Sequence, residues 1–281
     1  MMRNLLYCTV ALLGSALPLA AQDIPLSKIL VEKESWREVA KDLLANKGGL
    51  LQADQKNPPR ITFLHARPDG SVLMYQDRGQ GAGLTTCLCA DGKIEKDIPI
   101  DAVRGRHQAQ AFLQNLKGYY EVDPKYQDVL YSTDTGVGSG RLKLAGLKSP
   151  TCLTLWPDEG HLVIAEADGA YLWAVRLEKD GSFGPGDRYY SLRTKPNEKM
   201  HVTAMTMDAG YLLYACTPLG IQVFDPTGRL SGVIASPSKS VMAAIAIGGE
   251  KGDTLFVAAG DKIYARRIQG KAPYTLKAAR K

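Results

Sequence analysis

The chain is poor in the residues that build metal, redox and nucleophilic centres. Only four histidines and five cysteines occur in 281 residues. His65, His107, His161 and His201 stand at no zinc-like spacing, and Cys87-x-Cys89 has no second pair and no histidine beside it. A structural zinc ribbon is thereby disfavoured. No Gly-x-Ser-x-Gly elbow occurs, which removes the usual signature of an α/β-hydrolase serine. Gly136-Val137-Gly138-Ser139-Gly140 is glycine-rich, but no helical pattern follows it. A phosphate loop needs that helix, so a loop between strands explains the glycines better. Long apolar runs are also absent. Leu5 to Leu19 is shorter than the ~20 residues of a spanning helix, Pro18 interrupts its end, and no later segment could cross a bilayer. No membrane span is expected.

The same short run does have a meaning. Arg3 precedes it, and Ala20-Ala21 close it before polar Gln22-Asp23, the order of a secretory signal peptide rather than of a retained anchor. Residues 1–21 are therefore predicted to be a signal peptide and 22–281 a single domain, periplasmic or secreted. Cys8 lies too early to carry a lipid after cleavage. Loss of Arg3 lowers the formal charge from +6 to +5, spread along the chain except for a basic tail at Lys271, Lys277, Arg280 and Lys281. So sparse a tail solvates a terminus, and no nucleic-acid partner is expected. Four cysteines remain, Cys87, Cys89, Cys152 and Cys216, for which three pairings are open alongside buried free thiols. Cys87 and Cys89 share one strand face, a poor geometry for a bond between them.

Beyond residue 60 one unit recurs: a turn with Asp or Gly, then a short run of β-branched, aromatic and leucine residues. It appears at Asp69-Gly70 before Val72 to Tyr75, at Asp128 before Val129 to Tyr131, at Gly160 before Leu162 to Ala165, at Gly210 before Leu212 to Ala215, and at Gly252 before Leu255 to Ala259. Gly160, Gly210 and Gly252 are 50 and 42 residues apart. A period in the forties with several strands per unit predicts an all-β propeller, whereas strands of a β-sandwich need not recur at a long fixed interval. Two stretches fit less well. Lys93 to Lys117 is polar where a further, atypical blade is expected, and Glu32 to Leu44 has helical spacing through Trp36, Val39, Ala40 and Leu43.

The C-terminal half resembles the gluconolactonase and regucalcin (senescence marker protein) family, the LRE-like region included. The likeness rests on Ser149-Pro150-Thr151-Cys152-Leu153 with Trp156-Pro157-Asp158-Glu159, on Met205-Thr206-Met207-Asp208, on Gly220-Ile221-Gln222-Val223-Phe224-Asp225-Pro226-Thr227-Gly228-Arg229, and on Gly248-Gly249 before Asp253-Thr254-Leu255. It implies a six-bladed propeller with one or two atypical blades, and strand rather than helix after Trp36. In that family a divalent cation such as calcium or zinc sits at the channel mouth on a glutamate, two asparagines and an aspartate. The cation polarises a lactone carbonyl while the aspartate serves as base for water. Here the glutamate's place falls at Lys47 counting from Trp36, or at Thr62 counting back from Asp69. The asparagines fall at Gly118 and Thr151, and the aspartate at Thr203. None is a carboxylate, and a hard cation wants several oxygen ligands with negative charge among them.

The resemblance with these substitutions implies a degraded metal site with no metal cofactor and no catalytic residue. His201, near Thr203, is a candidate pocket residue, as a base or as a structural hydrogen-bonding group. The expected function is non-catalytic binding of a small-molecule or protein ligand at the channel face. Two alternatives stand beside it: a metal-dependent sugar-lactone hydrolase or drifted esterase, and a scaffold in the cell envelope.

Overall fold

The computed structural model describes residues 24–39, 60–67, 69–77, 83–88, 94–96, 112–115, 118–123, 125–133 and 139–273. They form five four-stranded antiparallel sheets. The first holds β2 (Arg60–Ala66), β3 (Val72–Asp77), β4 (Gly83–Leu88) and β5 (Ile94–Lys96). The second holds β6 (Phe112–Asn115), β7 (Gly118–Asp123), β8 (Asp128–Ser132) and β9 (Gly140–Arg141). The third is β10 (Pro150–Leu155), β11 (His161–Glu166), β12 (Tyr171–Leu177) and β13 (Phe183–Ser191). The fourth is β14 (Ala204–Met207), β15 (Leu213–Thr217), β16 (Gly220–Phe224) and β17 (Leu230–Ile234). The fifth joins β18 (Met242–Gly248), β19 (Thr254–Ala259) and β20 (Lys262–Arg267) to β1 (Arg37–Val39) from the other end of the chain. First strands of successive sheets lie side by side, β10 with β14, β14 with β18, β18 with β2, and β6 and β7 both with β10. This is a propeller.

Three expectations need correction. The described residues make five blades, not six. Within Lys93 to Lys117, where an atypical blade is expected, the described residues form no blade of their own, and the rest lies outside the described residues. The described parts are β5, the edge of one sheet, and β6, the start of the next. The helix read over Glu32 to Leu44 is also overturned: Arg37–Val39 is strand, paired with β20 as Arg37↔Ala265, Glu38↔Tyr264 and Val39↔Ile263. Apolar spacing that reads as 3.6 over a short stretch is outweighed by the free edge of β20, which needs backbone partners.

The recurring turn has a local cause. Asp69 Oδ1 accepts from Ser71 N at 2.9 Å, Asp158 Oδ1 from Gly160 N at 2.9 Å, and Asp208 Oδ1 from Gly210 N at 2.8 Å and Leu212 N at 2.9 Å. Asp123, Asp180 and Asp225 make the same bond two residues on, to Lys125, Ser182 and Thr227. An aspartate that closes its own turn lets the chain reverse tightly between strands. In four sheets the recurring unit joins the first two strands, whereas Asp128 follows the turn between the second and third strands of its sheet.

In the fourth and fifth sheets the central strands are buried on both faces. All five residues of β15 and of β16 are buried, as are all six of β19. Period-2 geometry splits them between two interfaces. Leu213 and Ala215 of β15 pack with Cys152, Val163 and Tyr190 of the third blade, while Tyr214 and Cys216 pack with Ile245, Ile247 and Val257 of the fifth. The outer strand β13, by contrast, is mostly exposed. An N-terminal strap completes the fifth blade. Ile29 is fully buried, Leu30 bridges Ile268, and Gln269 Nε2 donates to Ser27 O at 3.0 Å and Leu30 O at 2.9 Å.

Candidate functional site

First strands of successive sheets are neighbours, and three threonines stand in one register, two on first strands and one just before a third. Thr62, Thr151 and Thr203 each stand four residues before the last paired residue of the first hairpin, Ala66, Leu155 and Met207. In β2 and β10 the pairing slips there, between Ile61 and Phe63 and between Pro150 and Cys152. A bulge of one residue bends the strand and re-aims that residue's side chain. Thr203 precedes β14, and its N–H donates to Cys216 O at 3.1 Å, which extends the pairing by one position.

The two hydroxyls whose surroundings are described do the same thing. Thr151 Oγ1 donates to Val202 O at 3.2 Å, from the third blade to the fourth. Thr203 Oγ1 donates to Met242 O at 2.5 Å, from the fourth blade to the fifth. Each threonine therefore joins its own blade to the start of the next, and both are half-buried. Cys152 Sγ lies 3.7 Å from Val202 O as well. These carbonyl partners were not legible in the sequence, because blade neighbours some forty to fifty residues apart supply them.

Gly118 opens β7 at φ +155°, and a Cβ there would stand 2.3 Å from Ser132 O, so the position belongs to the packing of β7 on β8. Lys47 lies outside the described residues. His201 is exposed, two residues before Thr203, in the segment that leads into β14. Cys152 and Cys216 are buried free thiols. Burial pushes the Cys152 thiol up to about 12, against a smaller downward pull from Thr151. Cys216 is raised too, first by burial and then by proximity to Cys152, so both are inert as nucleophiles and ligands at neutral pH. Cys152 packs between the third and fourth blades and Cys216 between the fourth and fifth. Cys89 lies outside the described residues.

The donor chemistry does not suit the divalent cation that the fold implies. The two threonine hydroxyls are neutral and already donate to carbonyls, and among the described residues no three of His, Cys, Asp and Glu come together.

Comparison with known proteins places this geometry. A gluconolactonase from Zymomonas mobilis subsp. mobilis is 28% identical over 244 residues, which cover 78% of this chain and 66% of that protein. The chain thus spans just under two thirds of that relative's length. Among solved structures, one assigned to the gluconolactonases superposes with a TM-score of 0.61 at 13% identity, over 87% of this chain and 95% of the other. A gluconolactonase from Xanthomonas campestris gives 0.51 at 17% identity, over 73% and 71%. At those identities the superpositions establish the fold. Residues 111–261 match the family model described as the SMP-30/Gluconolactonase/LRE-like region, more than half of the sequence, and the chain belongs to that family.

Proposed function

We propose that this protein is an exported, non-catalytic propeller that binds a polar small-molecule or protein ligand at its channel mouth. One observation carries the reading: Thr151 and Thr203 spend their hydroxyls on joining neighbouring blades, to Val202 O and Met242 O, where the family's resemblance places an asparagine and an aspartate. A neutral hydroxyl committed to a carbonyl neither neutralises a divalent cation nor takes a proton from water. Export rests on the N-terminal pattern. The described residues of the strap, from Ile24 on, lie after the expected cleavage near Ala21.

A second reading is supported by the 28% identity to a gluconolactonase. In it the chain hydrolyses a sugar lactone with a rearranged set of groups. Calorimetry with calcium and zinc, run beside a lactone assay at several metal concentrations, separates the two. Metal-dependent turnover above the buffer rate overturns the binding-protein reading. Turnover at the buffer rate, with no saturable metal heat, is the expected result.

A further inference from the structure

Charge is divided between the two ends of the strands. In a four-stranded antiparallel sheet, the connection from the fourth strand to the next sheet lies at the end where first strands begin, and the first hairpin turn lies at the opposite end. Thr151 and Thr203 stand at the beginning, the end read above as the channel mouth. Three such connections are described in full, residues 142–149, 192–203 and 235–241. They carry Lys143, Lys148, Arg193, Lys195, Lys199 and Lys239, all exposed, against Glu198 as their one acid. The described first hairpin turns hold the reverse, Asp69, Asp158, Glu159, Asp208, Glu250 and Asp253 against Arg67 and Lys251.

Turn chemistry accounts for much of the acidic end, since Asp69, Asp158 and Asp208 close their own turns. Nothing local accounts for the basic one. Lys143, Lys148, Arg193 and Lys239 make no ion pair among the described residues. Lys195 meets Glu198 at 3.4 Å and Lys199 meets Asp168 at 2.7 Å, exposed pairs of small worth that a ligand can exchange. The described turns between second and third strands add Lys125, Asp168 and Asp261, and the end stays basic. The longest connection is also held at both ends. Fully buried Gln222 accepts from Arg193 N at 2.9 Å and donates through Nε2 to Arg193 O at 2.8 Å, while Met200 and Val202 are buried beyond the exposed stretch 193–199.

Two exposed tyrosines share this end. Tyr126, in the β7–β8 turn, is 58% exposed with the Arg141 guanidinium 4.5 Å from its ring centroid. Tyr171, the first residue of β12, is 41% exposed with Arg188 at 5.6 Å. Phosphate recognition favours arginine forks, and protein interfaces are depleted in lysine, whereas lysine dominates these connections. Dispersed ammonium groups with exposed aromatic rings suit a chain of carboxylated sugars, whose charges meet the lysines and whose apolar ring faces pack on tyrosine.

We infer that the face at which the first strands begin binds an acidic oligosaccharide, with Lys143, Lys148, Arg193 and Lys239 meeting its carboxylates and Tyr171 its sugar rings. The inference rests on the reading of the channel mouth as a binding face and names the class of its ligand. No bond is made or broken.

The probe is a short oligogalacturonate, titrated calorimetrically into the mature protein beside its methyl ester, an oligoglutamate peptide and a single-stranded oligonucleotide. The oligogalacturonate is expected to bind saturably and to weaken as salt is raised, and the ester, the same sugar without charge, to bind at least about tenfold more weakly. Combined Lys143→Gln, Lys148→Gln and Lys239→Gln remove exposed charges that hold no ion pair, so Tm should be unchanged while affinity falls about tenfold. Tyr171→Ala should weaken the sugar as well. No saturable heat with oligogalacturonate, equal binding of the ester, tighter binding of the peptide or oligonucleotide, or undiminished binding by the lysine variant would each overturn the assignment and leave a neutral ligand open. Metal-dependent lactone turnover would instead overturn the non-catalytic reading, and the two failures are therefore told apart.

Discussion

Single residues here are held by what their neighbours on the next blade offer. Thr203→Val keeps the shape of the side chain but leaves Met242 O without its hydroxyl donor. A loss of about 1–3 kcal/mol is expected in urea unfolding, and Thr203→Ser, which keeps the hydroxyl, should lose less. Asp208 is a different case. It is buried, and burial raises its carboxyl above the usual range against the opposing pull of the Leu212 and Gly210 N–H groups and the Tyr214 hydroxyl. A carboxyl raised on folding contributes stability at low pH that is lost as pH rises through its folded value. Asp208→Asn keeps an oxygen acceptor for both N–H groups, so its stability relative to wild type should improve from pH 4 to pH 7. Asp69 runs in the opposite sense: hydrogen bonds from Ser71 and the charge of Arg67 outweigh its partial burial and lower its carboxyl, so its contribution is lost as acid is added. Urea midpoints of wild type and Asp208→Asn across that pH range check the sign.

At the scale of elements, turn chemistry and two-sided burial decide the outcome. Asp225 closes the β16–β17 hairpin through Thr227 N at 2.8 Å, Thr227 Oγ1 at 2.6 Å and Arg229 N at 3.0 Å. Asp225→Ala should cost about 1–3 kcal/mol. Phe224, fully buried where the fourth blade meets Tyr190 of the third, should cost about 3–5 kcal/mol as alanine. Denaturant titrations of both variants measure these losses. The Asp and Gly turns were legible in the sequence because the acceptor and the donor lie two residues apart. The strand after Trp36 was not legible from periodicity. Its apolar spacing is ambiguous over one or two turns, and its pairing partner, β20, lies more than two hundred residues away.

The whole molecule depends on joining its two ends. The strap contributes buried Ile29, the β1–β20 pairing, and the bond from Trp36 Nε1 to Ala235 O at 2.8 Å. A mature chain starting after Val39 would expose the edge of β20 and the cavity left by Ile29. We expect several kcal/mol of lost stability and concentration-dependent association, seen as a lower Tm and increased light scattering. The chain purified from an exporting host should begin near Gln22, by N-terminal sequencing, and a start at Met1 would count against the signal peptide.

The sequence alone determined the β class, the recurring turn, the family likeness and the lack of carboxylates at the expected ligand positions. Each of these depends on residue identity or on contacts a few positions apart. Blade number and the bonds made by Thr151 and Thr203 were decided only by the tertiary structure. A blade count depends on which strands pair into one sheet, and that is not fixed by residues a few positions apart. The hydroxyl of Thr203 finds its shorter bond only when Met242, thirty-nine residues on, is brought beside it.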